Sequence, residues 1–339
     1  MKKLDVLQGL RAVAFFCVFL GHAGMLEIAG VAVSIFFVLS GFLMTYNYYY
    51  RDPLSNELRS CFIFATKKIR KLYPLHIIMM CPMLLLTLWG MRTNFTLQGI
   101  SKVVLPNILL IQSWFPNKEI YFGLNGVSWY LSTSMFLYFA FPFIMNKIQA
   151  SWSKKKAYIY ISVTFILQVV LAIILESTSF NFAWFTYVFP LYRLGDFFIG
   201  CNAGYLFLKK EGESNFAYAT LREVLAITLM CVAVLIPKNK LLFASTSLSA
   251  IYIPGSVALV YVFAEGRGVI SRILKSQVFV TVGNMSAYLY LIHQVVINYV
   301  EIFLNHKYMV AIVSFAMTFI LALMYQKFER SAMKRRILE

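Results

Sequence analysis

Charge is what this sequence has least of. Asp, Glu, Lys and Arg make up only 13% of its residues, about half the share found in a soluble domain. The shortage falls on one sign, with 14 acidic residues against 31 basic ones. Too few charges remain to cover a water-exposed surface, because 60% of the chain is hydrophobic and the mean hydropathy is +0.72. Cysteine is also scarce. The five (Cys17, Cys61, Cys81, Cys201, Cys231) are odd in number, contain no CxxC pair and lie mostly in apolar runs. Neither a disulfide framework nor a metal site is indicated, and they read as packing residues. No Gly, Pro or Ser-rich linker and no internal repeat divides the chain, so residues 1–339 read as one membrane-embedded domain with no appended soluble domain. A net charge of +17 would suggest nucleic acid in a soluble protein; here it is better explained by basic loops facing the cytoplasm, and no nucleic-acid partner is expected.

Apolar runs of membrane length are abundant. A bilayer core takes about 20 apolar residues per helix, and ten runs qualify, near 6–24, 29–50, 73–91, 125–147, 157–175, 184–208, 220–236, 243–264, 279–303 and 308–328. The fold expected is all-α and polytopic, with about ten transmembrane helices. The run "VVLPNILLIQSWF" (103–115) is too short to span and carries Pro106 and Asn107, so it is expected in an external loop or as a re-entrant piece. The N-terminus begins like a signal peptide, but Arg11 interrupts its apolar region and no small-x-small site follows, so it reads as a retained first span. With the N-terminus inside, 23 of the 31 Lys and Arg fall in cytoplasmic segments and 6 outside. That asymmetry puts both termini in the cytoplasm.

Ionisable groups inside spans are costly and are candidates for function. Arg11 and His22 lie in the first span, His76 in the third, Arg193 and Asp196 in the sixth, and His293 and Glu301 in the ninth. Arg11 and His22 are eleven residues apart, about 20° past three full turns, so they share one helix face at a rise of roughly 16 Å. Geometry alone leaves two readings open: a snorkelling Arg with a His bonding a neighbour, or a shared site. Arg193 and Asp196, three apart, are placed to pair; Arg193 could also meet an anionic ligand. His76 reads as structural, Glu301 as a solvated cap, and His293 equally as a bundle-interior hydrogen-bonding residue or a site residue. In the basic run "ATKKIRKLYPLH" (65–76), Lys68 and Lys71 are one turn apart, the spacing to clamp a phosphate. Trp129, beside Ser132 and Ser134, stands apart from the other aromatics as a site candidate.

Several stretches together resemble the acyltransferase-3 family of bacterial integral-membrane acyltransferases. Arg11 and His22 match its Arg, ten residues, His spacing. "IFFVLSGFLM" (35–44) is similar to its second-span signature, "KKIRKLYP" (67–74) to its basic loop, and "SWYLSTSMFLYFAFP" (128–142) to its Trp-containing span. "YRLGDFFIG" (192–200) resembles its Arg and acidic segment, and "GNMSAYLYLIHQ" (283–294) its late His segment. The resemblance implies transfer of an acyl group, usually acetyl from cytoplasmic acetyl-CoA as co-substrate, to a hydroxyl of a glycan or lipid-linked sugar beyond the bilayer. His22 would then be general base or acyl relay with Arg11 beside it. Lys68, Arg70, Lys71 and Arg193 would hold the acyl donor, and Ser40, Trp129, Ser134, Asp196 and His293 would support the site. Four positions depart from the family pattern: Ser34 and Ser134 where acidic residues are usual, and Lys68 with Lys71 where two Arg are usual. The first two leave His22 without the carboxylate partner one would first propose for it. A transporter or flippase, with Arg11, Arg193, Asp196 and His293 along a conduction path, is the rival class, and a scaffold for polysaccharide assembly a third.

Overall fold

A computed structural model describes residues 4–26, 28–91, 97–176, 178, 181–212, 215–235 and 249–338. Five cations of the charge count (Lys2, Lys3, Arg92, Lys238, Lys240) lie outside the described residues, as do 92–96 of the long loop and 236 and 243–248 of the expected seventh and eighth spans. In chain order the helices are α1 (Asp5–His22), α2 (Ala29–Tyr48), α3 (Leu58–Ile69), α4 (Tyr73–Met91), α5 (Leu97–Ile108), α6 (Lys118–Tyr121), α7 (Trp129–Ser151) and α8 (Lys154–Glu176). They continue with α9 (Phe182–Tyr187), α10 (Pro190–Leu208), α11 (Phe216–Leu235), α12 (Ile253–Glu265), α13 (Val269–Leu274), α14 (Gln277–Phe303) and α15 (Lys307–Leu338). There is no strand among the described residues.

Eight of these helices are long and apolar enough to cross a membrane: α1, α2, α4, α7, α8, α11, α14 and α15. This is a multi-pass membrane protein. The two remaining expected spans are helical but of another kind. The sixth, 184–208, is divided into α9 and α10 at Val188 and Phe189, because Pro190 has no N–H to continue a helix yet fits the first turn of a new one. The eighth is a short 3-10 turn (Ser249–Tyr252) leading into α12, which has 13 residues. It ends at Gly266, whose φ of +66° is a left-handed conformation that side chains disfavour.

The centre of the bundle is built on two parallel pairs. In the first, α2 and α10 pack along their length, with Gly200 against the Val38 backbone, Gly204 against the Phe42 backbone and Gly41 against the Phe197 carbonyl. Small residues four apart let two backbones meet without a side chain between them. In the second pair, α1 lies on α14, with the Gly283 Cα facing the Gln8 backbone. Parallel running follows from the contacts, which climb both helices together. The segment 97–128 turns back toward the beginning of α4: the Tyr73 hydroxyl donates to the Ile108 carbonyl (3.0 Å), and the His76 ring bonds the Asn107 carbonyl (2.9 Å). The buried His76 thus adds a second partner to a helix-end carbonyl that also accepts from the Leu110 N–H.

Candidate active site

Both polar residues of α1 meet α14. Arg11 Nε donates to Ser286 Oγ (3.1 Å), and His22 Nδ1 lies 2.7 Å from His293 Nε2. Ser286 and His293 are seven residues apart, about 20° short of two full turns, so they too share a face. Each helix therefore presents a stripe to the other.

The hydrogen bonds fix which nitrogens carry protons. His293 Nδ1 faces two acceptors that cannot donate, the carbonyls of Tyr290 (2.7 Å) and Leu289 (3.2 Å). In the neutral ring Nδ1 must then hold the proton, which leaves Nε2 as acceptor. His22 Nδ1 consequently donates to it. The two rings are nearly coplanar, at 8°, with centroids 5.0 Å apart, which with the short N–N distance is the geometry of an in-plane N–H···N bond. The lone pair of His22 is thereby placed on Nε2, which has no hydrogen-bond partner among the described residues. Phe15 meets the His293 ring edge-on (5.9 Å, 85°) and Tyr290 lies at 5.7 Å, so the buried imidazole is held from the sides as well.

A cavity of about 540 Å³ has Arg11 in its wall. Asn47, Tyr48, Arg51 and Lys68 line it as well, together with Ser40 and Tyr138. Lys68 Nζ donates to the Tyr48 hydroxyl (2.8 Å) and sits 4.6 Å over that ring, while Arg51 covers the same ring at 4.7 Å. Ser40 and the Tyr138 hydroxyl are 3.3 Å apart. Beyond Arg11 a neck of about 50 Å³ continues between Phe36, Tyr130, Ser286 and Tyr290. The rings of Tyr130 and Tyr290 stand 5.4 Å apart across it, and Tyr290 lies one turn below His293.

The other expected site residues are distributed differently. Arg70 lines a separate groove between α3 and α7. Lys71 pairs with Glu329 (3.4 Å). Arg193 is fully buried near the opposite end of α2 from Lys68: it pairs with Asp196 (2.9 Å), donates to Ser34 Oγ (3.2 Å) and lies 4.8 Å over the Phe37 ring. Gln168 completes Asp196 by donating to its Oδ1 (2.9 Å). This cluster ties α10 to α2 and α8, and of the four basic residues expected around the acyl donor only Lys68 lines the cavity with Arg11. Trp129 is buried and packs on Tyr187 (5.0 Å), Ser134 bonds Tyr130, and Glu301 is exposed. Arg51, Tyr130, Ser286 and Tyr290 were not singled out from the sequence. For Ser286 a signal was available, since at seven residues from His293 it shares that residue's helix face.

Comparison with known proteins adds to this geometry. The Acyltransferase MdmB of Streptomyces mycarofaciens is 29% identical over 160 residues, 41% of this chain and 38% of that protein, so the match spans well under half of the relative's length. No solved structure matches the chain. Residues 4–325 match the family described as an acyltransferase domain, and the chain belongs to that family, acyltransferase-3.

Proposed function

We propose that this protein moves an acyl group, in the first instance acetyl, from a CoA thioester to a hydroxyl of a glycan or lipid-linked sugar, across a bacterial cytoplasmic membrane. The observation that carries the reading is that α1 sets Arg11 in the wall of a basic-lined cavity and of its small aromatic neighbour, and on the same helix face holds a His22 Nε2 whose lone pair is left free. Basic loops put the Lys68 end in the cytoplasm, and the parallel running of α1 with α14 and of α2 with α10 is the sense that alternation over ten crossings produces.

In this reading Lys68 and Arg51 hold the phosphates of the acyl donor by charge. Arg11, with Nε committed to Ser286, offers its terminal nitrogens to the donor from the cavity wall. The thioester passes the neck, which excludes water by closing aromatic rings around it. His22 Nε2 takes the proton of the acceptor hydroxyl as its oxygen attacks the thioester carbonyl. Collapse of the intermediate breaks the carbon–sulfur bond, and the same proton passes to the departing thiolate. Charge that grows on His22 is shared through Nδ1–H with His293, a positioning residue that fixes the tautomer. The same free nitrogen is the nucleophile in an acyl-histidine relay. Ser34 and Ser134, where acidic partners are usual, are occupied by Arg193 and Tyr130, and His293 fills the orienting role instead. A conduction path is disfavoured because Arg193 and Asp196 are sealed in a buried pair away from the cavity. Mass spectrometry of surface glycans from cells with and without the protein tests the proposal: loss of an acyl modification supports it, and an unchanged pattern opposes it.

A further inference from the structure

The four cations of the basic run divide between two helix faces. Lys68 is half-buried and Lys71 exposed, and both are engaged, by Tyr48 and Glu329. Lys67 and Arg70, also one turn apart, are exposed and have no hydrogen-bond or ion-pair partner among the described residues. They line a groove of about 590 Å³ between α3, the beginning of α4, residues 108–114 and α7, within the roughly 300–1,000 Å³ of small-molecule sites. Its remaining walls are almost wholly apolar, with Phe62, Leu109, Trp114 and Phe136 among them. The groove thus offers two unpaired cations on the wall of a chain-sized apolar trough.

A second apolar cavity of about 510 Å³, between α1, α2, α11 and α12, has no charged side chain in its lining. That contrast separates a site with headgroup chemistry from an ordinary lipid-facing concavity. From it we infer that the α3–α7 groove binds one anionic phospholipid, its phosphate between Lys67 and Arg70 and a chain along Leu109, Trp114 and Phe136. Arg contributes a planar fork and Lys a point charge to the same phosphate, and the apolar chain supplies the rest of the affinity by leaving water. The lipid sits on the face of α3 opposite Lys68, so its occupancy also steadies the helix that holds the acyl donor.

The test titrates the purified full-length protein in detergent with phosphatidylglycerol and with phosphatidylcholine of matched chains, and counts bound lipid by native mass spectrometry. One tightly held phosphatidylglycerol is expected, with phosphatidylcholine at least about tenfold weaker. Lys67→Gln with Arg70→Gln should weaken phosphatidylglycerol by roughly 10- to 30-fold, as two cations at a membrane surface suggest. Lys67→Arg with Arg70→Lys should restore it. Both positions are exposed, so the substitutions leave the fold intact, and an unchanged melting temperature in lipid-free detergent checks this. Equal binding of the two lipids, undiminished binding by the Gln pair, or displacement of the lipid by inorganic phosphate at equal concentration would each overturn the assignment.

Discussion

Replacing His293 with Phe removes one acceptor and keeps a ring of similar bulk against Phe15 and Tyr290. The Nδ1–H of His22 then loses its partner at 2.7 Å. A hydrogen bond of this kind contributes about 0.5–1.5 kcal/mol, and an N–H left unpaired in a buried setting costs about 1–3 kcal/mol. At 1.36 kcal/mol per tenfold, kcat should fall roughly 10- to 100-fold. KM for the acyl donor should hold, since His293 lines neither the cavity nor the neck. His293→Gln is the discriminating companion: its side-chain carbonyl accepts near the place of Nε2, and activity should return to within about fivefold of wild type. Because the two imidazoles act as a unit, His22→Ala with His293→Phe should be no worse than His22→Ala alone. The assay follows release of CoA thiol from acetyl-CoA by protein reconstituted in vesicles, with and without acceptor. A folded His293→Phe enzyme at full rate, or a penalty that simply multiplies with His22→Ala, would refute the reasoning.

Other substitutions probe the rest of the path. Lys68→Ala should raise KM for acetyl-CoA about tenfold through a lost charge-assisted contact, whereas Lys71→Ala, engaged by Glu329, should change it little; initial-rate kinetics separate the two. Tyr130→Ala or Tyr290→Ala opens the neck, and acceptor-independent thiol release should rise relative to transfer. Asp196→Asn strands a buried guanidinium and should cost about 3–5 kcal/mol of stability, read as a lower melting temperature in detergent. Gly200→Leu forces a side chain into the Val38 backbone and should also lower the melting temperature, costing about 1–3 kcal/mol of stability or more, through overpacking at a site that cannot repack.

Much of the helical plan was legible because membrane spans announce themselves by length and apolarity, and because Arg11 and His22 share a face by arithmetic on one helix. The break at Pro190 and the shortness of α12 were less legible, since an apolar run conceals where a helix restarts. The division of the basic run was hidden for a related reason. Spacing places Lys68 with Lys71, and Lys67 with Arg70, but only packing decides that Lys68 alone of the four lines the cavity and that Glu329, more than 250 residues away, takes Lys71. The partner of His22 was hidden most completely. An acidic residue was the natural expectation, and its absence at Ser34 and Ser134 left the role empty; a second imidazole 271 residues away in sequence occupies it, a pairing no local pattern reveals. The tautomer followed only once the carbonyls of Leu289 and Tyr290 were seen to face His293 Nδ1.

The central claim is that His22 Nε2 carries acyl transfer, and one measurement reaches it directly. Wild-type and His22→Ala proteins, matched for melting temperature and reconstituted in the same vesicles, are compared for acetyl-CoA-dependent thiol release in the presence of an acceptor sugar. The account predicts that the variant loses roughly 100- to 10,000-fold in rate, the contribution of a positioned general base. A folded His22→Ala protein that turns over acetyl-CoA at the wild-type rate would contradict it.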